Sequence, residues 1–468
     1  MRILQPVEPT AEQLTVLRHT KPGVALIKGA AGSGKTTTAL YRLKLLCGQW
    51  LARRRRLGLE APVRVLVMTY NRTLEGYIAE LARQQVQGDE HLELTVTTFS
   101  KWALGLLPVQ PQTLDFEDVG TMLRRLAREL PGNPDFWAEE VDYLLGRFPS
   151  DHLDSYLTVR REGRGTSPRV DHALRQRLLE EVVLPYQEAK RSSSTMDWND
   201  VALAAGAVTG MPPWDVVIID EAQDFSANQI RSVLTHLAEP HSMTFVMDAA
   251  QRIYPRFFTW NEVGITIPSA SNTTLKVNYR NTRQIAAFAQ PLVEGLPLDG
   301  DGQIPDFTSC TTDGPLPTVV AGTYSAQMDY ILGSLSQTVD FANESVVFLQ
   351  PFGGRWFDYL RERLERVKIP YVQLTRKSSW PTGSEAIALC TLHSAKGLEF
   401  DHVVLPGLNQ QVTPHGDEPG DVYLDRLRRL IAMGVGRARK SVHIGFKPND
   451  PSRVLSLLKP DTYTLVTP

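Results

Sequence analysis

Residues 24 to 40, VALIKGAAGSGKTTTAL, constrain this chain more than any other stretch. A short apolar strand, Val24 to Ile27, runs into Gly29-Ala-Ala-Gly-Ser-Gly-Lys35-Thr36, and Leu40, Leu43 and Leu46 then recur at helical spacing. Strand, glycine-rich turn and helix start, in that order, make a phosphate-binding loop on an α/β scaffold. Gly32 and Gly34 let the backbone curl so that N–H groups face one point, with Gly29, Ala30, Ala31 and Ser33 completing the cradle. Lys35 places a cation on the β and γ phosphates of a nucleotide, and the Thr36 hydroxyl is placed to hold Mg²⁺.

A second run, WDVVIIDEAQDF (214 to 225), has four consecutive apolar residues, as expected of a strand buried on both faces of a parallel sheet. Asp220 and Glu221 at its carboxyl end fall at the rim where such sheets bind ligands. Asp220 is expected in the Mg²⁺ shell and Glu221 as general base on an attacking water. Together the two runs predict a nucleotide-hydrolysing protein using ATP and Mg²⁺.

Further strand-like segments (63 to 73, 92 to 103, 243 to 254 and 273 to 288) alternate with helical ones, predicting a parallel α/β lobe. A second set at 317 to 323, 345 to 351, 387 to 400, 401 to 408 and 441 to 446 repeats the rhythm without a second phosphate loop. Two sheets and one phosphate site predict a nucleotide held in a cleft between lobes. On that reading Arg280, in TTLKVNYRNT, and Arg437 are cationic fingers on the leaving γ-phosphoryl group, and Tyr279 stacks on the base.

At 468 residues the chain is too long for one ordinary core. A net charge of −2 argues against a protein that coats nucleic acid by bulk charge, while leaving local basic tracks open. Three scattered cysteines form neither a disulfide framework nor a metal knuckle. There is no secretory signal pattern or membrane-length apolar run, so a cytoplasmic protein is expected.

The ordered series TAEQ, GAAGSGKT, TYN, TTFS, DEAQDF, DAAQRIY, NYRNT, TLHSAKGLEF and GRARK resembles the superfamily 1A helicases of the UvrD/Rep/PcrA type, from about residue 10 to 441. The resemblance implies two RecA-like parallel-sheet lobes with a mainly helical insertion in the first. The boundaries expected are 1–100 and 196–290 for lobe 1, 101–195 for the insertion and 291–468 for lobe 2. It further implies that Gln13 reads the adenine edge, Glu399 meets the ribose, and Gln251 senses the γ-phosphate. Tyr70, Asn71, Thr98, Phe99, Tyr254, Trp260 and His393 are implied to line a single-strand track, in which aromatic faces stack bases and polar groups hold phosphates. Phe99 and Trp260 have a competing reading as core.

Three departures from the family pattern stand out. Gly436 and Ala432 replace a threonine and a tyrosine around Arg437. Thr37 replaces an arginine near the base. Only residues 283 to 390 lie between NYR and HSAKG, where relatives carry a large helical subdomain. Within the insertion, TVRREGRGTSPRVDHALRQR places Arg160, Arg161, Arg164, Arg169, Arg175 and Arg177 against two acids, and is expected to form a track for a nucleic-acid backbone. The Arg53–Arg56 run reads instead as a solvated loop.

The activity these residues imply is ATP-dependent translocation on single-stranded DNA, 3′→5′ by resemblance, with weak unwinding. The alternative is a DNA-gated ATPase that signals to a partner nuclease or other repair or defence protein. An RNA-directed motor stays open, because stacking does not readily distinguish the sugars.

Overall fold

The computed structural model describes residues 9–468 except 30–31, 70–74, 77, 80–81, 83–89, 162–168, 249–257, 297–309, 352–356, 376–380, 382, 384 and 417–420. Strands are numbered here in chain order. Lobe 1 contains β1 (Gly23–Gly29), β2 (Val63–Thr69) and β3 (Leu92–Thr98). A two-residue pair, β4 (Gln112–Thr113) and β5 (Thr195–Met196), closes the base of the insertion. Then come β6 (Trp214–Ile219), β7 (Leu237–Met247) and β8 (Asn272–Leu275). The lobe 1 sheet runs β3-β2-β6-β7-β1-β8 with every neighbour parallel. Strand β6 is buried at every position, which is why it reads as an unbroken apolar run.

Lobe 2 has β9 (Thr318–Ala321), β10 (Val346–Gln350), β11 (Tyr371–Leu374), β12 (Ile387–Thr391), β13 (Phe400–Leu405), β14 (Ala438–Phe446) and β15 (Thr464–Val466). Its order is β11-β12-β10-β13-β14-β9-β15, again all parallel. The described residues between 310 and 390 build β9 to β12 and the helices Tyr324–Thr338 and Asp358–Arg366, all of them parts of the lobe itself.

Two expected boundaries shift. The helix Arg283–Val293, placed by sequence mostly in lobe 1, buries Ile285, Phe288 and Leu292 in a core shared with Leu430, Ile431, Val442 and Ile444 of lobe 2. The helix therefore packs with lobe 2, and the chain passes between the lobes in the short segment after Asn281 rather than at 290. The helix Phe99–Leu106, expected in the insertion, packs Phe99, Trp102 and Ala103 into the lobe 1 core with Phe225 and Val217. The insertion has a separate core, from Leu123 through Trp137, Tyr143 and Tyr156 to Tyr186. Asn228 of lobe 1 clasps it by donating to the carbonyls of Leu145 and Phe148 at 2.8 and 2.9 Å.

The Arg53–Arg56 run is not a loop. It closes the helix Lys35–Leu57, which stops at Gly58 in a left-handed conformation (φ 64°). Cations in a last turn are favoured by the helix dipole. Arg54 also reaches the buried Asp215 at 2.9 Å, and Arg53 lies over the Trp50 ring.

Candidate nucleotide-hydrolysis site

The carboxyl ends of four lobe 1 strands deliver the site. β1 leads into the phosphate loop, β6 into Asp220 and Glu221, β7 into Asp248, and β8 into Asn278, Tyr279 and Arg280. Gly32 and Gly34 both have positive φ (81° and 75°). Packing demands glycine as well, since a Cβ on Gly32 would lie 2.1 Å from Asn278 Oδ1 and one on Gly34 would lie 2.4 Å from Gln13 Nε2. The NYR segment and Gln13 thus rest directly on the loop, and Tyr279 N donates to the Gly32 carbonyl at 3.0 Å. The helix beginning at Lys35 has no side-chain cap, which leaves its first N–H groups to a phosphate.

Lys35 Nζ is held by the Gly29 carbonyl at 2.8 Å and by Asp248 Oδ2 at 3.1 Å. Thr36 Oγ1 donates to the Asp220 carboxylate at 3.1 Å. Burial, then the neighbouring Glu221 charge, pushes the Asp220 carboxyl up to about 7. The Asp220 carboxylate and the Thr36 hydroxyl beside it are hard oxygen donors of the kind Mg²⁺ takes. Glu221 has a left-handed backbone (φ 53°), a strained conformation for a non-glycine residue that aims its carboxylate into the cleft. Burial acts to raise its pKa, but Lys396, Arg437 and Lys35 together hold it below the usual carboxylate range. Gln223 donates to the same carboxylate and accepts from Asp248 N at 3.0 Å.

Lobe 2 contributes from two turns. The first joins β12 to β13 and carries Lys396, Gly397 and Glu399; the second precedes β14 and carries Arg437. Arg280 pairs with Glu399, whose carboxyl stays low against burial because Arg280, Arg437 and Arg439 surround it. Arg437 is buried, and desolvation, then Arg280, lowers its pKa to about 10. Gly32, Gly34, Lys35, Thr36, Thr37, Glu221, Arg280, Glu399 and Arg437 line one narrow cavity. Gly29 packs closely against Ser33 and Leu275, and Tyr279, bonded to the loop at Gly32, is 40% exposed, as a stacking ring needs to be.

Three residues that sequence reasoning missed belong here. Asp248 ends a buried apolar run just as Asp220 does, so its signal was present. Lys396 reaches Asp224 at 2.6 Å and Glu221 at 3.8 Å across the lobes, and its pattern, a lysine before the glycine of SAKG, gave no hint of the partner. Asn281 is buried between the lobes.

Other expectations need correction. Thr98 caps the helix Phe99–Leu106 by accepting from Lys101 N, and Phe99 is 4% exposed, edge-on to Phe225. Neither is available to a strand of nucleic acid. Trp260 is half-buried, with one side against Phe245 and Phe258, and His393 is half-buried. The arginine track fails at Arg161, which forms an ion pair with the fully buried Glu140 at 2.6 Å, a carboxylate that also accepts from Tyr156. Arg175 donates to the carbonyls of Tyr156 and Val159, and Arg177 pairs with Glu181. Arg160 and Arg169 are exposed. Ala30, Ala31, Tyr70, Asn71, Arg164, Gln251 and Tyr254 lie outside the described residues.

Fold and site together define a two-lobed phosphate-loop nucleotide-binding protein. The UvrD/REP helicase N-terminal domain matches residues 10–257 and the UvrD-like helicase C-terminal domain matches 355–447, so the chain belongs to the UvrD/REP helicase family. It is 22% identical to DNA helicase IV of Escherichia coli, over 93% of this chain and 68% of that protein. Against the ATP-dependent DNA helicase UvrD2 of Mycobacterium tuberculosis it is 25% identical, over 72% of this chain and 63% of the relative. A probable DNA helicase II homolog of Rickettsia conorii is 44% identical over 62 residues, 13% of this chain; that match spans about a tenth (10%) of the relative's length.

Proposed function

We propose that the chain is an ATP-driven motor that moves 3′→5′ on single-stranded DNA. The observation that carries the reading is the cavity to which both lobes contribute, with Lys35, Thr36 and Glu221 on one side and Glu399 and Arg437 on the other. ATP entering there exchanges the resting contacts for phosphate contacts. Lys35 leaves Asp248 for the β and γ phosphates, and Arg280 leaves Glu399. Glu221 takes the proton of the water that attacks the γ-phosphorus, while Arg280 and Arg437 neutralise charge on the transferring group. Thr36 and Asp220 would hold Mg²⁺, which supplies charge neutralisation at the phosphate oxygens. Closure and reopening of the lobes around this cycle then step the chain along the strand.

The compact span between NYR and HSAKG supports translocation with weak unwinding, limited to short duplexes with a 3′ tail. ATPase rates measured side by side with no nucleic acid, single-stranded DNA, duplex DNA and single-stranded RNA test the reading. Stimulation by single-stranded DNA, with travel along a labelled strand, is expected. Stimulation without travel would instead identify a DNA-gated switch.

A further inference from the structure

Three successive carbonyls around Arg437 are pinned from outside their own segment. Phe400 N donates to the carbonyl of Arg437 itself at 3.0 Å. The carbonyls on either side, of Gly436 and Ala438, both accept from one atom, Asn281 Nδ2, at 3.2 and 2.6 Å. Arg280 Nη1 adds a second donor to the Gly436 carbonyl at 3.3 Å. Gly436 has no side chain to brace this junction, where the helix Val422–Val435 ends and β14 begins.

The orientation of the Asn281 amide is fixed by chemistry. Carbonyls only accept, so the nitrogen must face Gly436 and Ala438. Its oxygen is engaged in turn by Asn278 Nδ2 at 2.9 Å. Asn278 Oδ1 accepts from the backbone N–H groups of both Arg280 and Asn281, each at 3.1 Å. Both asparagines are almost wholly buried, at 2% and 3% exposure, so no water competes for these bonds.

We propose that Asn281 is the positioning residue for Arg437, clamping the backbone on both sides of that finger and tying its placement to that of Arg280 one residue away. The two guanidinium groups come from different lobes, yet one short segment sets both. The inference rests on the hydrolytic reading of the cleft. Arg437 can oppose transition-state charge only if its backbone holds still as the lobes close, and the Asn281 amide is the tie that crosses between them.

The test is steady-state ATPase of the full chain on single-stranded DNA, with Asn281→Asp, Asn281→Ser, Arg437→Ala and the double variant Asn281→Asp/Arg437→Ala. Asp keeps the shape of Asn but turns an acceptor toward two carbonyls, while Ser keeps one donor. Asn281→Asp is expected to lower kcat about 10-fold or more with KM for ATP changed less than about 3-fold, and Asn281→Ser to fall between it and wild type. In the Arg437→Ala background Asn281→Asp should cost no more than about 2-fold further, because both act through one group. Wild-type kcat in Asn281→Asp, a KM effect alone, or losses that multiply in the double variant would overturn the assignment. Should Asn281→Asp not fold, Asn281→Ser with and without Arg437→Ala decides by the same criterion. A wild-type chain with no ATPase on any nucleic acid sinks the hydrolytic reading itself, and this assignment with it.

Discussion

The cleft and the helical insertion both hold arginines in short clusters, and they use them in opposite directions. Arg280 and Arg437 converge on a cavity open to a ligand, where Arg280 rests on Glu399 and burial, with Arg280 beside it, lowers the Arg437 pKa. Arg161 and Arg175 turn inward onto a buried carboxylate and onto the carbonyls of Tyr156 and Val159, so their charge is already answered by the insertion's own scaffold. Arginine density is therefore a poor footprint of nucleic acid. What separates the two uses is whether the arginines line a cavity or are locked into the scaffold, and that is a property of the fold.

The contrast breaks most sharply at Arg161. Arg161→Ala strands the Glu140 carboxylate, which should cost about 3–5 kcal/mol of stability, the scale for losing one partner of a buried pair. Chemical denaturation should show the loss, while the salt dependence of DNA binding by the folded variant stays as in wild type. A flattened salt slope at full stability would return Arg161 to a DNA-facing role. In the cleft, Glu221→Gln should keep nucleotide binding and lose turnover by roughly 10²-fold, the scale of a missing general base. Near-normal turnover there removes Glu221 from the chemistry. Arg280→Ala and Arg437→Ala should each lower kcat by up to about 10²-fold with smaller changes in ATP affinity, read from steady-state kinetics. An Arg437→Ala enzyme with normal kcat would place that arginine with those of the insertion.

The smallest effect concerns pH. The Asp220 pKa is raised in the folded chain, so between about pH 4 and 7 the native state binds more protons than the unfolded one, and stability falls as pH rises through that window. Asp220→Asn should remove this slope and raise the Tm of the nucleotide-free protein above pH 7. An unchanged Tm–pH profile would mean the carboxyl is ionised at rest.

Much of the cleft was legible in the sequence because its parts sit at strand ends, where an apolar run stops against a polar residue of fixed chemistry. Lys35, Asp220 and Arg280 all announce themselves that way. The Arg53–Arg56 helix was misread because like charges suggest a loop, although Trp50 continues the apolar face and Gly58 marks the stop. Arg161 was misread for a deeper reason. Its partner Glu140 lies 21 residues away, and the two meet only once the insertion's own core has packed. Lys396 and Asp224, 172 residues apart, were out of reach for the same reason.

That last pair has a mechanical consequence. Lys396 and Asp224 are both almost wholly buried, and they belong to different lobes. Drawing the lobes apart would break the pair and return both charges to water, so regained hydration offsets much of the lost attraction. The Lys396 ammonium is also the foremost of the charges that hold Glu221 below the usual carboxylate range against its burial, so the contact that joins the lobes also sets the charge around the base.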